Sequence, residues 1–79
     1  MPRLLNPTPT TLRRYELEDT LARLALQRRG LDAELAHHAR RRQLDGPTVH
    51  RVRHLRDKRE AVVAAIAKVK ASLAALGSA

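Results

Sequence analysis

The side chains with the greatest chemical capacity in this sequence crowd into one stretch. Residues 37 to 59 hold Arg40, Arg41, Arg42, Arg51, Arg53, Arg56, Lys58 and Arg59 against only Asp45 and Asp57, so they carry +6 of the chain's formal +8. All four histidines, His37, His38, His50 and His54, lie there too. Guanidinium groups grip phosphate oxygens in bidentate pairs, and clustered cations gain affinity for polyanions by releasing counterions. Nucleic acid, RNA or DNA, is therefore the first candidate ligand, and Arg40, Arg41, Arg42, Arg51, Arg53 and Arg56 are its candidate contacts. No aromatic is interleaved for base stacking and no base-reading signature is present, so the expected binding is charge-driven and weakly dependent on sequence. The plainer reading of the same charge is a solvated surface that keeps a small protein dispersed.

His50 and His54 stand four apart and could chelate a metal from one helix face, with His37 and His38 approaching from another helix. A third ligand is not evident, and heptad position puts only His38 on a packing seam, so no metal site is expected. The carboxylates Glu16, Glu18, Asp19, Asp32 and Glu34 stand beside arginines and read as intrahelical partners, such as Asp19 with Arg23. There is no Ser/His/Asp set with a glycine elbow and no phosphate-cradling loop, which leaves no catalytic constellation, no cofactor and no small-molecule substrate to expect.

Periodicity gives the helices on which these side chains are carried. From Leu17 the positions 17, 21, 24, 28, 31, 35, 38 and 42 alternate steps of four and three and are filled by Leu17, Leu21, Leu24, Arg28, Leu31, Leu35, His38 and Arg42. A second seam runs Val52, Leu55, Arg59, Val62, Ile66, Val69, Leu73 and Leu76. Such seams belong to helices that pack in coiled-coil fashion. Thr8 is suited to cap a helix whose first residue is Pro9. Leu44-Asp45-Gly46-Pro47-Thr48 is the strong interior break, with Gly46 able to turn left-handed and Thr48 to cap the second helix. The expectation is a flexible arm over residues 1–8, helix 1 over about 9–43, a turn at 44–47, helix 2 over about 48–76 and a tail at 77–79. Gly30 interrupts helix 1 without shifting the seam, so a bend there is allowed.

A turn this short folds the helices back antiparallel. The fold class is thus all-α, an antiparallel two-helix hairpin, with Leu17 set against Leu73, Leu21 against Val69, Leu24 against Ile66 and Leu35 against Leu55. Arg28 and Arg59 fall on the seam and are expected to snorkel past Val62 and Leu31 to water, which makes them poorer ligand contacts.

The chain has 79 residues with 43% hydrophobic content, yet one aromatic (Tyr15), one Met, no Phe and no Trp. A lone hairpin of aliphatic residues buries one stripe per helix and is marginal as a monomer. A second stripe, Leu12, Tyr15, Ala22 and Leu26, lies off the seam of helix 1, and the back of helix 2 is rich in alanine, including Ala64, Ala71 and Ala75. These seven residues are the candidate oligomer or partner interface, completing a helical bundle by self-association or with a helical protein partner. Exposed alanine also serves simply as a good helix former. No cysteine is present, which excludes disulfides. The longest apolar run, Ala61 to Ala67, is too short for a membrane span and no secretory leader is visible, so a cytoplasmic protein with no membrane partner is expected.

The stretch from Leu21 to about Ile66 resembles the small YdcH-like helical-hairpin proteins. Leu31-Asp32-x-Glu34-Leu35 looks like their Leu-Asp-x-x-Ile segment, and Leu55-Arg56-Asp57-Lys58-Arg59, followed by Val62 and Ile66, looks like their basic run on the second helix. The chain departs from that pattern at Glu60 and Val63-Ala64. The resemblance implies the hairpin and brings no biochemical activity with it. Two function classes remain: a module whose basic turn end docks a polyanion, and a protein-binding adaptor or small co-chaperone that uses the apolar stripe, with the arginines only solubilising. Neither is an enzyme.

Overall fold

The computed structural model of the chain describes residues 8–41 and 45–78. Two helices, α1 (Pro9–Ala39) and α2 (Gly46–Ser78), pack against each other, and no strand is present among the described residues. Residues 1–7 of the expected arm, the seam position Arg42 and the break residue Leu44 lie outside the described residues, as does Ala79.

Helix α1 begins as its sequence directs. Thr8 sits in extended geometry (φ −69, ψ 161) and its hydroxyl accepts the Thr11 N–H at 3.1 Å, with Pro9 in the first turn where no N–H is missed. The helix stops at Ala39, four residues before the expected 43. The Arg40 and Arg41 amides donate to the His37 and His38 carbonyls at 3.4 and 3.1 Å, so the last turn tightens and satisfies acceptors that would otherwise be orphaned. Gly30 lies within this unbroken helix.

The start of α2 differs from expectation. Asp45, not Thr48, is the cap: its Oδ1 accepts the Thr48 N–H at 2.8 Å and its carbonyl accepts the Val49 N–H at 2.9 Å. Asp outranks Thr at this position, and Gly46-Pro47 then enter the first helical turn, where proline is tolerated. No described residue has positive φ, so Gly46 is not used as a left-handed turn residue. At its far end α2 runs through Gly77 to Ser78 rather than stopping at 76.

The two predicted seams are the packed surface. Leu17, Leu31, Leu55, Val62 and Ile66 are the buried hydrophobics, all seam positions, and Leu21, Leu24 and Leu35 pack against the cluster of Leu31, Leu55, Val62 and Ile66. Two cross-helix ion pairs show the direction of the return: Glu34 meets Arg51, whereas Asp32, earlier on α1, meets Arg59, later on α2. The helices are therefore antiparallel. The seam arginines do not simply reach water. Arg59 Nε donates to Asp32 Oδ1 at 2.5 Å and Arg28 Nε lies 3.7 Å from Asp32 Oδ2, so one carboxylate ties both to the edge of the seam.

Candidate polyanion-binding tip

The turn end gathers its cations from two helix ends. Arg40 and Arg41 follow the last turn of α1, where the exposed carbonyls favour positive charge, and Arg51, Arg53 and Arg56 project from the first turns of α2; all five are exposed. Arg42 completes the expected set but lies outside the described residues.

These side chains are not equivalent. Arg51 Nη2 donates to Glu34 Oε2 at 3.1 Å across the helices, so its charge is already met. The expectation that Glu34 and Asp32 serve intrahelical arginines is corrected: Glu34 pairs across the hairpin, and Asp32 adds a cross-helix partner to the intrahelical Arg28. Asp19 does pair with Arg23, at 2.7 Å. Among the described residues, Arg40, Arg53 and Arg56 enter no ion pair. At about 100° per residue, Arg53 and Arg56 occupy the flank of α2 turned away from Arg51. They line a shallow groove of about 200 Å³ with Val49 and Val52. Arg56 also borders a neighbouring groove of about 320 Å³ formed by Leu35, Ala36, His38, Ala39 and Val52. The tip thus has a neutralised flank and a flank with free guanidinium groups over an apolar floor.

Asp45 places one negative charge at the centre of the tip. The hydroxyl and amide of Thr48, aided by the charge of Arg41, hold its carboxyl below the ordinary 3.8 against a smaller opposing effect of desolvation. It occupies the helix N-terminus that an incoming phosphate would otherwise use. His37 and His38 stack edge to face with centroids 5.5 Å apart, and His38 Nδ1 is buried without a hydrogen-bond partner. No group of three or more potential metal ligands converges among the described residues.

The second set of candidates is divided between two surfaces. Leu12, Tyr15 and Leu26 are 49%, 59% and 67% exposed, and Ala22 shares their face of α1. Ala64, Ala71 and Ala75 are exposed on the outer face of α2. Periodicity alone missed the two cross-helix ion pairs, although the register brings position 59 level with 31 and could have suggested Asp32 as the partner of Arg59. It also missed the Asp45 cap, for which the Asp-x-x-Thr spacing around Pro47 was the available signal.

Among the described residues, no helix is long and apolar enough to cross a membrane. No family model, curated protein or solved structure matches the chain.

Proposed function

We propose that the chain is a non-enzymatic interaction module whose basic turn end docks nucleic acid through its phosphates. The observation that carries this reading is the segregation of charge: residues 37 to 59 hold +6 of +8, and Arg40, Arg53 and Arg56 are exposed without an ion-pair partner among the described residues. A rod tip of this kind attracts a polyanion by counterion release and needs no base-reading element.

The test is titration of labelled mixed-sequence RNA and duplex DNA at low and moderate salt. Engaging about four phosphates, the tip should lose roughly 100-fold in affinity between about 50 and 200 mM salt on duplex DNA. The double reversal Arg53→Glu with Arg56→Glu should abolish binding while leaving helicity intact. Arg51→Glu should weaken it less, because Glu34 already meets that charge. No measurable affinity at low salt, or binding indifferent to the double reversal, overturns the reading and favours a protein adaptor.

A second surface supports self-association along the outer face of the hairpin. Leu12, Tyr15 and Leu26 remain largely exposed, and a hairpin with one buried seam leaves apolar area that further helices would cover. Assembly would array several basic tips and raise their joint affinity for a long polyanion.

A further inference from the structure

We propose that the outer stripe of α1 seats on the outer stripe of α2 from a second copy of this chain, with Asp19 meeting the second copy's Lys68. This rests on the self-association reading and specifies its contact.

Each helix carries a second stripe in strict steps of three and four. On α1 it is Leu12-Tyr15-Asp19-Ala22-Leu26, and on α2 it is Ala61-Ala64-Lys68-Ala71-Ala75. All ten residues are exposed. At about 100° per residue, both stripes face away from the buried seam of Leu17, Leu31, Leu55, Val62 and Ile66, on opposite outer sides of the hairpin.

The stripes complement each other in size and charge. The α1 stripe bears the large exposed apolar side chains, Leu12, Tyr15 and Leu26, while the α2 stripe bears only methyl groups apart from one lysine. A helix face of alanines lets another backbone come close, so protruding Leu and Tyr side chains can fill the space against it. The third position of each five-residue stripe is charged, acidic on α1 and basic on α2. Being central, Asp19 and Lys68 face each other whether the helices run parallel or antiparallel. Contact of α1 with α1 would set Asp19 against Asp19, and α2 with α2 would set Lys68 against Lys68, so like charges oppose both alternatives.

The charges are available for such a contact. Lys68 has no ion-pair partner among the described residues. Asp19 holds Arg23 at 2.7 Å, but their side chains are 61% and 78% exposed, and surface pairs of this kind exchange at little cost.

Because the complementary stripes lie on opposite sides, the contact is heterologous. After two copies meet, one stripe of each kind remains free, and assembly continues into a ring or an open chain.

The test is sedimentation velocity at low salt on the full chain as wild type, Asp19→Lys, Lys68→Asp and the double charge swap, with helicity checked by circular dichroism. The wild type should form species larger than a dimer, each single reversal should weaken association by about tenfold or more, and the swap should restore it. A wild type that stays monomeric at tens of micromolar overturns self-association and this contact together. Assembly that ignores the single reversals, or that the swap fails to rescue, leaves self-association standing and overturns the Asp19–Lys68 register. An assembly that stops at a dimer overturns the heterologous contact.

Discussion

Among single residues, Asp45 has the most consequences. Its carboxylate caps α2 and is held below 3.8 by the Thr48 donors and the Arg41 charge. A depressed folded-state value means that this contribution to stability is complete above the unfolded-state value and fades as pH falls through the folded one. Asn accepts the same amide bond without titrating. Thermal melts of Asp45→Asn and wild type, run from about pH 5 downward, should therefore differ most near pH 5, with the wild type more stable, and converge only after pH has fallen through the folded-state value, which lies below 3.8. A constant difference across that range would show that the cap owes nothing to its charge. Removing the carboxylate also lifts the one fixed negative charge between Arg41 and the start of α2.

Within helix α1, Gly30 is a weakness without a visible structural need. Its φ is not positive, and a Cβ built there meets nothing within 4 Å. Alanine removes unfolded-state freedom and favours the helix, so Gly30→Ala should add about 1 kcal/mol. For a domain of this size that is a rise of roughly 4–8 °C in melting temperature, readable by circular dichroism. A fall would reveal a close approach by another molecule at that point of α1. The same helix shows how the seam accommodates charge: Arg28 and Arg59 interrupt an otherwise aliphatic surface, and Asp32 holds both at its edge instead of leaving them to water alone.

Across the whole molecule, the two proposed activities occupy different surfaces. The free guanidinium groups are near the turn, while the stripe of Leu12, Tyr15 and Leu26 runs from near the open end to the middle of α1. Separation of this kind lets the outer face assemble without burying the tip. Leu26→Glu should dissociate the assembly and lower apparent affinity for a long RNA by about 100-fold, through lost multivalency. Its affinity for an oligonucleotide long enough for one tip should stay at the wild-type value, with the same salt slope, when both are compared by fluorescence anisotropy. Equal losses on long and short RNA would place Leu26 in the nucleic-acid contact itself.

Heptad spacing was enough to specify the two helices and the positions they bury, because an aliphatic stripe every three to four residues leaves water by packing on another such stripe, and the short break at Gly46-Pro47 specified the antiparallel return. Thr8 and Pro9 likewise announced the start of α1, since capping is a local hydrogen bond. Concentration of charge in residues 37 to 59 is equally a property of the sequence. Which of those charges remain free was settled only by the packed pair of helices. Glu34 lies far from Arg51 in the chain and Asp32 far from Arg59, and their ion pairs exist because the antiparallel register brings distant turns level. The end of α1 at Ala39 was also beyond periodicity, which continues in phase past it, whereas the chain must leave the helix early enough to reach Asp45 and cap α2. Local rules therefore read the elements, while the division of the tip into a neutralised flank and a free flank is a property of the pair.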